Sequence, residues 1–173
     1  MTITAQIAQE IAVLALDVDG VLTDSRIYYG NDGEELKSFS IKDGLGIKLL
    51  QRDGIDVVLI TGRSSRIVAR RAGELGISEV IQGREDKLTA LREVCSARQI
   101  DLRQCAYMGD DLPDLAAVRA AGIGMAPADA VTALRDAADW VSENAGGAGA
   151  VREACEALLQ WRESLARLQA GYD

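Results

Sequence analysis

The sequence predicts an α/β fold: a Rossmann-like parallel sheet flanked by helices, with a β-hairpin projecting from it. Three observations predict it. Apolar runs of strand length recur along the chain, and helix-length patterns separate them. Between the first two runs, one segment breaks the alternation with turn chemistry. The 173 residues are expected to form one domain over 1–173, with a hairpin insert at about 26–41 and a C-terminal helix and tail at about 150–173.

Residues 11–16 (IAVLAL) form a continuous apolar run, the signature of a strand covered on both faces. Comparable runs lie at 55–60 (IDVVLI), 79–81 (EVI) and 105–108 (CAYM), with shorter candidates at 122–125 and 140–141. The helical patterns fall at 46–52, 65–75, 85–98, 112–121, 131–137 and 150–168. In the fourth, Asp111 is a candidate N-cap, with Pro113 inside the first turn. Residues 26–29, 30–33 (GNDG) and 34–41 read as strand, tight turn and strand. Ile27, Tyr28, Tyr29, Leu36, Phe39 and Ile41 exceed what an isolated hairpin can bury, so it is expected to pack against another surface, such as another subunit. The Gly-rich run at 146–149 opens the last helix, and residues 169–173 are expected to be disordered.

The net charge of −8 argues against nucleic acid and against an anionic membrane surface as partners. The chain has no histidine, which excludes Ser-His and Cys-His catalysis and histidine-ligated zinc. Cys95, Cys105 and Cys155 form no CxxC pair and are expected to be reduced packing residues. The run at 11–16 is too short to span a membrane and has no basic leader before it, so the cytoplasm is the expected location.

In parallel sheets, ligands collect beyond the carboxyl ends of the strands. The polar residues there are Asp17, Asp19, Gly20 and Thr23 after the first run, and Thr61, Gly62 and Arg63 after the second. Lys87 opens the helix after the third, and Gly109, Asp110 and Asp111 follow the fourth. Asp17 and Asp110 can hold a hard divalent cation such as Mg²⁺ beside a phosphate. Thr61 and Lys87 can bind phosphate oxygens. Asp19 can protonate a leaving alkoxide and then activate water. An EF-hand loop does not fit, because its Gly stands sixth and Gly20 stands fourth. The DVDG and GDD pairs also fit a receiver domain poorly.

Asp17-Val-Asp19-Gly20, Thr61-Gly62-Arg63, Lys87 and Gly109-Asp110-Asp111 with Asp114 resemble, in order and spacing, the four motifs of the haloacid dehalogenase superfamily. The resemblance implies Asp17 as nucleophile and Asp19 as general acid/base. It implies Mg²⁺ held by the Asp17 and Asp110 carboxylates and the Asp19 carbonyl, with Asp111 and Asp114 orienting those ligands. The intervals between Thr23 and Thr61 and between Lys87 and Asp110 leave no room for a cap domain.

Segments at 17–24, 27–36, 43–46, 60–63, 82–88, 108–112 and 146–153 resemble the capless 3-deoxy-D-manno-octulosonate 8-phosphate phosphatase family. That resemblance implies a phosphorylated sugar acid as substrate, lipopolysaccharide precursor synthesis as setting, and a homotetramer built through the hairpin. It places Arg63 and Arg152 at the substrate, where a guanidinium matches a carboxylate or phosphate. Ser25 stands where the family usually has Gly, and Lys42 where Arg is common. A phosphatase for a nine-carbon sialic-type acid 9-phosphate carries the same motifs, and a non-catalytic oligomerisation domain on this fold is the other alternative.

Overall fold

The computed structural model of the protein describes residues 3–172. Six strands form a parallel sheet: β1 (Val13–Leu16), β4 (Asp56–Ile60), β5 (Glu79–Ile81), β6 (Cys105–Met108), β7 (Ile123–Ala126) and β8 (Trp140–Val141), in the order β5-β4-β1-β6-β7-β8. The chain runs outward from β1 through β4 to β5, then returns to the other side of β1 for β6. The crevice beside β1 is therefore the switch point at which such sheets bind ligands.

Every residue of β1 is buried because both faces of the sheet are covered. Leu14 and Leu16 join one core with α2 (Ile41–Arg52), α3 (Arg66–Leu75) and α7 (Ala150–Trp161). Val13 and Ala15 point the other way, into a second core with α4 (Lys87–Arg98), α5 (Leu115–Ala120) and α6 (Thr132–Ala137). All three cysteines are free and buried, and Cys95 Sγ lies 3.3 Å from Cys105 Sγ.

Strands and helices fall where expected to within about three residues, with five differences. A first helix, α1 (Ala5–Glu10), is capped by the Thr4 side chain and was not expected; it shortens the first strand. The hairpin is regular over two pairs only, Tyr28 opposite Leu36 and Tyr29 opposite Glu35, in β2 (Tyr28–Tyr29) and β3 (Glu35–Leu36). Ile41 belongs to α2, not to the hairpin. Ser40 accepts the amides of Lys42 and Asp43 and starts that helix five residues before the expected position, at Gly46. Gly46 itself is needed for close packing, since a Cβ there would press on Arg152 of α7. The expected helix at 150–168 is two, α7 and α8 (Leu165–Gln169). The Arg162 amide still donates to Leu158 O at 3.1 Å, its guanidinium donates to the carbonyls of Ala8, Gln9 and Ile11 and pairs with Asp53, and the helix ends as Glu163 turns left-handed at φ 59°. The tail is ordered through a 3₁₀ turn at Ala170–Tyr172, contrary to the expectation; Asp173 lies outside the described residues. Among the described residues no helix is long and apolar enough to cross a membrane.

Candidate active site

The carboxyl ends of β1, β4 and β6 and the start of α4 surround a cleft of about 530 Å³ lined by Asp17, Asp19, Thr61, Arg63, Lys87 and Asp110. Gly62, Asp111 and Asp114 also line it, as does Ser25. The Asp17 amide donates to Met108 O at 3.0 Å, continuing the β1–β6 pairing by one residue and fixing where its side chain leaves the sheet. The chain then turns tightly: Val18 O accepts the amides of Leu22 and Thr23 at 3.0 Å each. Gly20 sits at φ 100°, and a Cβ there would overlap the Asp110 carboxylate. The turn and the Asp110 position are thus mutually dependent.

Lys87 is 3% exposed, which for an ammonium requires partners. Its Nζ lies 2.8 Å from Asp17 Oδ1 and 3.0 Å from Asp114 Oδ1, and donates to Ile60 O at 3.2 Å. Burial lowers the affinity of Lys87 for its proton, but Asp17 and Asp114 more than compensate and hold the ammonium above its usual range. Asp114 is satisfied on every side. Oδ1 also accepts the Tyr107 hydroxyl at 2.7 Å, and Oδ2 accepts the amides of Asp110 and Asp111 at 3.2 and 3.4 Å. It holds the cluster together and has little capacity left for a ligand.

Asp17 and Asp110 are in the opposite condition. Burial, with repulsion from Asp114 partly offset by Lys87, pushes Asp17 up to about 6. Burial and the charges of Asp17, Asp114 and Asp111 push Asp110 up to about 8. Asp17 Oδ1 is buried, with the Lys87 ammonium 2.8 Å from it. One oxygen each of Asp17, Asp110 and Asp114 lie within 4.8 Å of one another. Asp17 and Asp110, all-oxygen donors with surplus negative charge, fit a hard divalent cation, with Asp114 beside them holding the cluster.

Thr61 is 2% exposed at the end of β4, its amide donating to Ile81 O at 2.9 Å and its hydroxyl accepting the Arg63 amide at 3.3 Å. Arg63 reaches outward and pairs with Glu35 at 3.3 Å. Arg152 does not reach the cleft within one chain. Its guanidinium pairs with Glu156 at 2.7 Å on α7, and its backbone packs on Gly46 of α2. Lys42 is exposed and outside the cleft lining. Two residues not singled out in the sequence belong to the site's support: Tyr107, hidden in the apolar run of β6, and Lys37, which contacts Asp19. Lys37 had a signal, a lone lysine among the hairpin's apolar residues.

A family model described as haloacid dehalogenase-like hydrolase matches residues 72–153. The 3-deoxy-D-manno-octulosonate 8-phosphate phosphatase of Yersinia pestis is 44% identical over 160 residues, covering 92% of this chain and 86% of that protein. The crystal structure of the same-named enzyme from Moraxella catarrhalis, in complex with magnesium, phosphate and 3-deoxy-D-manno-octulosonate, superposes with a TM-score of 0.96 at 46% identity, over 98% of this chain and 97% of that one. A cobalt-bound deoxy-D-mannose-octulosonate 8-phosphate phosphatase from Haemophilus influenzae superposes with a TM-score of 0.89 at 40% identity, over 93% and 94%. Motif order, sheet topology, buried acid cluster and near-full-length identity converge: the chain belongs to the 3-deoxy-D-manno-octulosonate 8-phosphate phosphatase family of haloacid dehalogenase-like hydrolases.

Proposed function

We infer that this chain is a magnesium-dependent phosphatase that hydrolyses 3-deoxy-D-manno-octulosonate 8-phosphate to the free sugar acid and phosphate, in lipopolysaccharide precursor synthesis. The observation that carries the reading is the buried Asp17 carboxylate, 2.8 Å from Lys87 and beside Asp110, at the carboxyl end of the central strand. The substrate follows from the near-full-length relatives that carry this activity in their names.

Asp17 attacks phosphorus, forming an aspartyl-phosphate as the bond to the sugar oxygen breaks. Asp19 gives that oxygen its proton. Water then attacks the aspartyl-phosphate with Asp19 taking its proton, and Asp17 is regenerated. Lys87 and Thr61 supply a cation and a hydroxyl for the phosphoryl oxygens. The Asp17 and Asp110 carboxylates and the Asp19 carbonyl would hold Mg²⁺, which when bound offsets the repulsion between substrate phosphate and Asp17. Asp111 and Asp114 orient this set, and Gly62 and Arg63 border the substrate side of the cleft.

The hairpin supports a homotetramer as the working form in the cytoplasm. Ile27, Tyr29 and Leu36 are 47%, 70% and 61% exposed in one chain, apolar surface that association would bury. Sedimentation of the protein with residues 27–39 shortened is expected to give a smaller species; an unchanged tetramer would overturn the hairpin's role.

Phosphate release from a panel of sugar-acid phosphates with Mg²⁺ tests the activity. The eight-carbon substrate is expected to turn over best and Asp17→Asn to abolish release. Best turnover on a nine-carbon acid or on hexose phosphates would overturn the substrate, and full activity of Asp17→Asn would overturn the mechanism.

A further inference from the structure

Glu35 and Lys37 stand two residues apart where β3 leaves the hairpin, so they share one face, while Leu36 between them faces outward. The Lys37 side chain is only 1% exposed, and a buried ammonium persists only when paired. Its Nζ contacts Asp19 Oδ1 directly and lies 3.3 Å from Glu35 Oε1; the other Glu35 oxygen lies 3.3 Å from Arg63 Nη2. An alternating row of charges, Asp19–Lys37–Glu35–Arg63, thus joins the loop after β1 to the loop after β4 through the hairpin. Asp19 and Arg63 line the cleft, whereas Lys37 and Glu35 stand behind them.

We propose that Lys37 is a positioning residue for Asp19, fixing one carboxylate oxygen so that the other carries the proton in both half-reactions. This rests on the acid/base reading of Asp19 given above. With Oδ1 held by the ammonium, Oδ2 gives its proton to the sugar oxygen as the phosphorus–oxygen bond breaks and the Asp17–phosphorus bond forms. Oδ2 then takes a proton from water as the Asp17–phosphorus bond breaks. Glu35 keeps the ammonium on Asp19 by balancing its charge from behind. The hairpin is in this way part of the catalytic apparatus of its own chain.

The test uses leaving groups. A sugar alkoxide needs a proton as it departs; p-nitrophenolate does not. Lys37→Met is expected to lose about 10- to 100-fold in kcat/KM on the sugar-acid phosphate and under about threefold on p-nitrophenyl phosphate. Asp19→Asn should show the same selectivity more steeply, and Lys37→Met should cost nothing further in the Asp19→Asn background. Lys37→Arg should recover most of the loss. Equal losses on both substrates, a further loss in the Asp19→Asn background, or an unaffected Lys37→Met would overturn the proposal. Should Lys37→Met not fold, Lys37→Gln is read by the same comparisons. If Asp19→Asn shows no leaving-group selectivity, the acid/base reading fails and this inference with it. If Asp19→Asn shows it and the Lys37 variants do not, only this inference fails.

Discussion

The Asp43 carboxylate accepts the main-chain amide of Arg152 at 2.8 Å, joining the first turn of α2 to the first turn of α7. The N-cap of α7 is Gly149, which has no side chain to satisfy the helix's first amides. Asp43 supplies an acceptor from a different helix, and a negative charge where the helix dipole favours one. Burial pushes its carboxyl above the ordinary range, while the amides of Arg152 and Gly149 pull it back. The site depends on this join, because the Gly-rich run before α7 packs on the loop that carries Asp17. The Gly147 amide donates to Val21 O at 3.0 Å.

Asp43→Ala should therefore lower the melting temperature by roughly 3–6 °C, the effect of a lost helix cap in a chain of this size. Asp43→Asn, which keeps an acceptor oxygen, should lose less. Thermal melts followed by circular dichroism measure both, and a wild-type melt for Asp43→Ala would show that α7 needs no such cap.

Tyr107→Phe removes the hydroxyl that donates to Asp114 Oδ1 from a fully buried position. Lys87 and two amides still hold Asp114, so turnover should fall less than about tenfold while stability drops by about 1–2 kcal/mol. Urea unfolding beside steady-state kinetics separates the two effects. A large kinetic loss with unchanged stability would move Tyr107 into the chemistry.

Ser25 adopts φ 59° on the rim of the cleft, a left-handed conformation that glycine takes without steric cost. Relief of that strain should outweigh the larger chain entropy of glycine in the unfolded state, so Ser25→Gly is expected to raise the melting temperature by about 1–3 °C. Ser25→Val, branched at Cβ, should move it the other way. Melts of the two variants with opposite signs would establish the strain; equal signs would refute it.

Asp17, Asp19, Thr61, Lys87 and Asp110 were legible in the sequence because each follows a strand whose apolar run marks it, and a parallel sheet brings all such ends to one edge. Arg152, within one chain, is turned to its i,i+4 partner Glu156 on α7 and lies outside the cleft lining. Tyr107 and Lys37 act through contacts seven and eighteen residues away in sequence; Tyr107 is hidden in the apolar run of β6, and Lys37 stands between Leu36 and Ser38 in a mixed polar and apolar stretch. The start of α2 was obscured by Gly44 and Gly46, which weaken helix propensity yet permit close packing. The cap at Ser40 was the available signal.

The pH dependence of stability should change sign with metal. Asp17 and Asp110 are raised to about 6 and about 8, well above their ordinary value near 3.8. The folded protein therefore holds these protons more tightly than the unfolded chain, and their contribution to stability is lost as pH rises from about 4 to 8. Asp43, also raised, acts in the same direction. Asp24, Glu74, Asp86, Glu93 and Glu153 are lowered and act oppositely, but they titrate below about pH 5 and leave the window above it to the cluster. In EDTA the melting temperature should accordingly fall between pH 5 and pH 8, by about 5 °C or more. Excess Mg²⁺ is expected to bind the ionised carboxylates and stabilise the fold by mass action, most at high pH, so it should remove or reverse that slope. Scanning calorimetry at pH 5, 6.5 and 8 with each additive makes the measurement. A slope in EDTA matching that in Mg²⁺ would mean that the acid cluster is not where the cation binds.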